Sequence, residues 1–593
     1  MRLSPKTTSE KPEVPSIFLP IFSSAAYPRR KAMLKTSRLY LCIIFCLALS
    51  CVPLLAQNSK SVVGAISAAE ADKWREDLRY MAEEMPKRHR NLFHAMTREQ
   101  FDQAVKSLNE RIPSLTRNQI IVELTRIVAM VEDGHTSIAD LMTDPKIGFR
   151  SYPLTLYFFK DGLFVMTADQ EHAAAVGAKV LKIGNASAEQ AYNAVKGLVF
   201  HDHDNEFGQK ANAPFVLVTP EVLHAVGIIE DMDKAQFVLE KDGKQMTVEL
   251  KPVARRTEEM HSIWDYVKPK GWVDARDSAS APTPLWLKNV RDLFWFEYLA
   301  DSKTVYVQFN GVADKENETV ADFSKRLFAF VEKNPVDRLI LDLRWNGGGN
   351  NFLNKPLILG LIKSKIDERG KLFTIISRYT FSAAQNLVNE LEKYTNTIFV
   401  GEPTGENVNF YGDAARIELP NSKLVVRTST LWWQNLDPRD RRLWTGPQIA
   451  AELTSHDYFT NNDPALKAIL NYTSKKELTE QLMEALDAND VALAAKRFRE
   501  FKSDPANTYL NIEGTMNSFG YRLIGMKRLD QAIEIFKLNT EAYPQSSNVW
   551  DSLGEAYMNK GNKELAIKNY EKALELDPSN ANAAQILKRL RGM

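Results

Sequence analysis

At 593 residues the chain exceeds what one ordinary core accommodates, and two to four domains are expected. Apolar content of 44% and charged content of 25% fit a globular protein, and 76 Lys plus Arg against 75 Asp plus Glu give no large net field. The missing basic excess argues against nucleic acid as a partner, because phosphates need cations to neutralise them.

Residues 1–32 are rich in Pro and Ser and show no periodicity. After Met33 come Lys35 and Arg38, then the apolar run YLCIIFCLALSCVPLLA from Tyr40 to Ala56. Basic segment, apolar segment and small residue in that order predict a secretory signal over residues 1–56, cleaved after Ala56. The expected location is therefore periplasmic or extracellular, with a retained amino-terminal anchor as the alternative. Cys42, Cys46 and Cys51 all lie in the run, so a chain cut after Ala56 has no disulfide, thiol nucleophile or thiolate ligand.

Residues 68–150 read as a helical domain. KWREDLRYMAEEM and TREQFDQAVKSLNERI place apolar residues three and four apart, and Thr97 with Gln100 resembles a capping box. SLTRNQIIVELTRIVAMVEDG predicts a third helix running to Gly134, immediately before His135. Residues 151–270 read as β-rich, with strands LTLYFF, GLFVMTA, AKVLKIG and AQFVLEK separated by Asp-Gly and Gly-Asn turns.

An α/β region spans residues 290–470. KTVYVQFN, DRLILDLR, KLFTIIS, TIFVG and KLVVRTS are strands, and TVADFSKRLFAFVEKN is a helix. Residues 475–593 are helical. Gly520 and Gly554, Ala532 and Ala566, Phe536 and Tyr570, and Pro544 and Pro578 each recur 34 positions apart, the tetratricopeptide pattern. Two units from about Glu513 to Asn580 need capping helices before them.

Three segments carry candidate chemistry. Asp342-Leu343-Arg344-Trp345-Asn346-Gly347-Gly348-Gly349 runs a buried strand into a triple-glycine turn whose amides can approach an anion. No GxxxxGK[ST] pattern accompanies it, which disfavours phosphate. Ser382 stands between strand TIIS and helix AAQNLVNEL, where it either caps the helix or acts as a nucleophile beside helix-terminal amides. It is not a GxSxG elbow, because Thr380 and Ala384 occupy the glycine positions. His135, in EDGHTS, is the candidate base; His89, His94, His172, His224, His261 and His456 have no sharper context. His201-Asp202-His203-Asp204 offers alternating metal-ligand types without a recognised ligand spacing, and a solvent-facing or structural loop is the plainer reading.

In combination, DGHTS at 133–137, LILDLRWNGGG at 339–349, FSAAQN at 381–386 and VGEPTG at 400–405 resemble the tail-specific, or carboxyl-terminal-processing, serine peptidases. The resemblance spans roughly residues 68–470. It implies an α/β core of crotonase/ClpP type with a helical amino-terminal domain. Val180-Leu181-Lys182-Ile183-Gly184-Asn185 resembles the family's PDZ-like module; a divergent β insertion is the alternative. Ser–Lys members carry a Lys shortly after GxxTxG, but no Lys follows Glu402 before Pro420, so the chain is closer to the tricorn-like Ser–His style. There Ser precedes the catalytic His, whereas this chain has Gly134, leaving Thr136 or Ser137 to supply any hydroxyl assistance. The resemblance implies Ser382 as nucleophile, His135 as base, Asp440 or Glu402 as orienting acid, and the amides of Ala383 and Gly348 as oxyanion donors.

The expected activity is peptide-bond hydrolysis through an acyl-enzyme, without metal or organic cofactor. The expected partners are a polypeptide or oligopeptide substrate and a protein bound by the repeats. The alternatives are an inactive peptide-binding scaffold and a serine hydrolase acting on non-peptide substrates.

Overall fold

Strand Arg338–Asp342 (RLILD) is apolar on both faces and accordingly lies inside a sheet covered on both sides. In the computed structural model, which describes residues 66–139, 141–255, 268–438, 440–474 and 476–592, that sheet has six strands. Their spatial order is Ile449–Ala450, Ile398–Gly401, Leu372–Ile376, Arg338–Asp342, Thr304–Phe309 and Phe294–Leu299. All pairings are parallel except the last, which is antiparallel. Leu339 and Leu341 face a core that includes Phe323 and Leu327 of helix Val320–Lys333 and Leu387 and Leu391 of helix Ala383–Tyr394. Ile340 faces the opposite way, toward Tyr306, Phe373, and Ala465 and Ile469 of helix Pro464–Leu470. This two-fold alternation is what the strand pleat dictates.

Parallel strands need crossovers, so their carboxyl ends gather on one edge. The glycine turn follows Arg338–Asp342, Ser382 follows Leu372–Ile376, and the loop 402–409 follows Ile398–Gly401. Three consecutive loops are thereby placed side by side.

The amino-terminal helices Ala68–Arg88, Arg98–Arg111 and Arg117–Ala129 each begin with a capping box, from Ser67, Thr97 and Thr116. They share one continuous apolar core with the β-rich segment, whose main strand path is Leu154–Phe159, Gly162–Ala168, Lys179–Ile183, Ala235–Lys241 and Lys244–Leu250. Helices Ala188–Val195, Glu206–Val216 and Pro220–Ala225 interrupt this segment, which the alternating pattern alone did not anticipate. The third amino-terminal helix also ends earlier than expected. It stops at Ala129, Glu132 takes a φ of 51°, and His135 sits in a turn before strand Ser137–Ile138.

That short strand pairs with Val425–Trp433, itself paired with Phe410–Glu418, in a separate three-stranded sheet. The tip of the long hairpin is held by Asp77 of the first helix. Its carboxylate accepts the Asn421 and Ser422 amides at 2.7 and 2.8 Å.

Seven helices from Leu478–Asp487 to Ala581–Arg591 form the carboxyl-terminal region, and the first two pack with the first repeat in one core. Tyr509 anchors the region to the α/β part: its hydroxyl donates to Glu452 Oε1 at 2.7 Å. Among the described residues no helix is long and apolar enough to cross a membrane. The expected signal segment, the three cysteines and His261 lie outside the described residues.

Two outcomes test this packing. A Cβ at Gly520 would stand 2.5 Å from the Phe536 ring, whereas one at Gly554 would stand 3.2 Å from Tyr570. Gly554→Ala should be close to neutral in thermal midpoint, because the helix preference for Ala, about 1 kcal/mol, offsets the tight contact. Gly520→Ala should lower it, since overpacking costs about 1–3 kcal/mol. Asp77→Ala leaves the hairpin-tip amides without their acceptor, at about 1–3 kcal/mol each for those shielded from water. Amide exchange over residues 418–428 should then accelerate well before global unfolding.

Candidate active site

Ser382 adopts φ 57° and ψ −124°, a backbone conformation disfavoured for a residue with a Cβ. Such strain costs about 1–3 kcal/mol and persists only where the surroundings over-determine it. They do so here. Phe381 N–H donates to Asn346 O at 3.1 Å, Thr380 Oγ1 to Leu343 O at 3.0 Å, and Asn354 Nδ2 to Ala383 O at 2.8 Å. The Ser382 amide donates to Glu406 Oε2. The result is a sharp strand-to-helix turn with a half-buried Ser at its apex, and Ser382 does not cap the helix with its side chain.

His135 Nε2 lies 3.0 Å from Ser382 Oγ. Its Nδ1 lies 3.2 Å from Glu406 Oε1, although off the direction of a well-aligned hydrogen bond. The imidazole is flanked by the rings of Phe381, at 4.6 Å between centroids, and Phe410, at 5.8 Å. Its backbone amide donates to Asp133 Oδ1 at 2.8 Å, while Asp133 Oδ2 meets His89 Nε2 at 2.9 Å. His89 Nδ1 accepts the Asn91 amide, which leaves the proton on Nε2 for Asp133. Gly134 is required sterically: a Cβ there would stand 2.8 Å from Phe381 Cε2 and 3.2 Å from Asp202 Oδ1.

Neither acid expected from the sequence reaches His135. Glu402 is occupied by Arg378, whose Nη2 lies 2.6 Å from Oε2 in a buried ion pair. Asp440 pairs with Arg442 at 2.8 Å. The carboxylate beside the imidazole is Glu406, four positions beyond Glu402 in the same loop. The oxyanion assignment to Gly348 also needs correction, since its amide donates to Asn346 Oδ1 at 3.0 Å. What Gly348 provides is room, because a Cβ on it would stand 2.6 Å from Ser382 Cβ. Ala383 opens its helix, so its amide has no intrahelical acceptor and lies at the positive end of the dipole. Thr136 is committed to Asp133, at 2.6 Å, and Ser137 lies in the strand paired with Arg427.

The electrostatics follow from burial. Desolvation lowers the His135 pKa, against the charges of Asp133 and Asp413, and so favours the neutral base. Desolvation, with the charge of Asp202 second, pushes the Glu406 carboxyl well above the usual range. An imidazolium formed on His135 would favour the charged form of Glu406.

Among the described residues, two groups of side chains bring metal-ligand atoms within 4.8 Å of one another: Glu132, His203 and Asp204, and Asp169, Glu171 and His172. Each group consists of exposed and half-buried side chains already paired internally, as His203 with Glu132 and His172 with Asp169.

The tetratricopeptide repeat family model matches residues 549–580. Comparison with curated proteins finds no match. Among solved structures, the chain is similar to mature CPAF complexed with lactacystin, at 11% identity and TM-score 0.47, covering 68% of this chain and 100% of that one. It is also similar to the photosystem II D1 C-terminal processing protease, at 13% identity and TM-score 0.32, covering 68% and 97%. A putative peptidase from Parabacteroides merdae ATCC 43184 shows 14% identity and TM-score 0.33, again covering 68% and 97%. The chain is an α/β protein with a tetratricopeptide tail, similar at low identity to solved structures that include a processing protease and a putative peptidase.

Proposed function

We propose that the protein is an exported serine peptidase that hydrolyses peptide bonds through an acyl-enzyme on Ser382. The observation that carries this reading is the line Ser382 Oγ, His135 Nε2, His135 Nδ1, Glu406, built on a strained strand-to-helix turn. The α/β core is compatible with the expected crotonase/ClpP-type fold, and a fold alone does not supply the chemistry.

In the first step Ser382 Oγ attacks the scissile carbonyl carbon while its proton passes to His135 Nε2. The Ala383 amide faces the developing oxyanion with the helix dipole behind it. Collapse breaks the C–N bond, and the Nε2 proton goes to the departing amine. Water then attacks the ester carbonyl, His135 takes its proton, and that proton returns to Ser382 as the acid product leaves. Glu406 fixes the imidazole orientation and stabilises its charged form. The substrate is a polypeptide or oligopeptide, and the repeats hold it or a partner protein.

The test is labelling of the full mature chain with a fluorophosphonate probe, located by peptide mapping, together with hydrolysis of a denatured protein and of simple esters. Wild type should label on Ser382, and Ser382→Ala should not label while remaining folded, because Ala retains the Cβ for which the turn is already arranged. His135→Ala and Glu406→Gln should slow peptide hydrolysis by roughly a thousand-fold or more, by analogy with other Ser-His-acid sites. Asp440→Asn should leave the rate unchanged. Ester hydrolysis alone would favour a non-peptide hydrolase, and neither activity would favour a scaffold. Gly134→Ala should slow labelling because its Cβ displaces Phe381 or Asp202; a wild-type rate would refute that packing argument.

A further inference from the structure

His201-Asp202-His203-Asp204 divides on folding. His201 and Asp202 are buried, whereas His203 and Asp204 are exposed. Asp202 Oδ1 accepts the Gly134 amide at 2.8 Å, and its Oδ2 accepts the Asn407 amide at 2.8 Å. Gly134 immediately precedes His135, and Asn407 immediately follows Glu406. One carboxylate therefore ties the backbone beside the base to the backbone beside the acid.

The neighbouring residues reinforce the same junction. His203 O accepts from Asn407 Nδ2 at 3.3 Å, and Asn205 Nδ2 donates to Leu443 O at 2.5 Å. Gly208 passes so near the acid loop that a Cβ on it would stand 2.7 Å from Gly405 O. The segment belongs to the region between the amino-terminal helices and the α/β core, so a third part of the chain touches both halves of the site.

We propose that Asp202 is a positioning residue that sets the spacing between His135 and Glu406, acting through Glu406 rather than on the substrate. The proposal rests on the reading of Ser382, His135 and Glu406 as a catalytic unit. A carboxylate suits the task because both its oxygens accept. An amide in its place would turn an NH2 toward one of two buried N–H donors and leave that donor unpaired. Burial, with the charge of Asp133 second, pushes the Asp202 carboxyl up to about 7, and its two amide donors oppose that shift.

A double-mutant cycle on the full mature chain tests the proposal, combining Asp202→Asn with Glu406→Gln. It reads the rate of fluorophosphonate labelling at Ser382 and the kinetics of fluorescent casein hydrolysis. Asp202→Asn should slow labelling by about 10–100-fold and lower kcat with KM little changed, as for loss of an interaction made in the transition state. In the Glu406→Gln background the same change should cost less than about threefold, because residues acting as a unit are non-additive. Equal factors in both backgrounds, or an unaltered rate in Asp202→Asn alone, would overturn the proposal. If Asp202→Asn does not fold, Asp202→Ser enters the same cycle, since its hydroxyl retains an acceptor and adds no opposing NH2. A wild-type chain that is not labelled at Ser382 removes the hydrolase reading and this one with it; a labelled wild type with independent effects removes only the role of Asp202.

Discussion

A serine hydroxyl is activated only while an imidazole nitrogen stays within hydrogen-bond reach, and here the two groups are separated by 247 positions in the chain. Much of the architecture bears on that distance. The parallel sheet fixes Ser382 at the end of one strand and Glu406 just beyond the end of the next. Parallel pairing of Phe373 through Ile376 with Ile398 through Gly401 leaves the two loops little freedom to slide. His135 has no place in that sheet and arrives on a second one, where Ser137 pairs with Arg427. The hairpin that carries Arg427 is secured at its far end by Asp77. The base is thus positioned from outside the α/β core, while the nucleophile and the proposed acid are positioned from within it.

The arrangement concentrates carboxylates. Asp133, Asp202 and Glu406 are all buried near one imidazole, which is costly unless each charge is compensated. Asp133 has His89, Thr136 and the His135 amide; Asp202 has two backbone amides; Glu406 has the Ser382 amide and the imidazole. Desolvation, with the charge of Asp202 second, pushes Glu406 well above the carboxylate range. An acid in that condition gains most when its neighbour becomes cationic, which is when a proton-accepting base needs support.

Much of the scaffold was legible because apolar patterning is local. Strands such as LTLYFF and GLFVMTA appear with the bounds their alternation suggests, and the 34-residue repeat locates the tail helices. Ser382 and His135 were nominated by their motifs, and they stand together. Glu406 was not singled out, because Glu402 and Glu406 occupy one loop and nothing local says which of them faces His135. The deciding partner, Arg378, lies 24 positions before Glu402 and claims it. A usable signal did exist: loops after adjacent parallel strands converge, which made both glutamates better candidates than Asp440. The Gly348 amide was misassigned for a similar reason, since its acceptor Asn346 belongs to the same turn and competes with any ligand. Asp202 was hidden by its exposed neighbours, which made the whole tetrad look like surface loop.

The sheet that seats His135 has a consequence for the order in which the protein matures. Among the described residues its strand Ser137–Ile138 pairs with Val425–Trp433, nearly three hundred positions later. A ribosome-bound chain that ends before this hairpin already contains both the serine and the histidine, yet lacks the strand with which Ser137 and Ile138 pair. Closing so distant a contact carries a loop-entropy cost, which this pairing and the packing of Ile417, Leu419, Leu424 and Val426 into the amino-terminal core help to repay. For the proposed hydrolase, assembly of the Ser382–His135 pair is thereby coupled to completion of the chain through this hairpin.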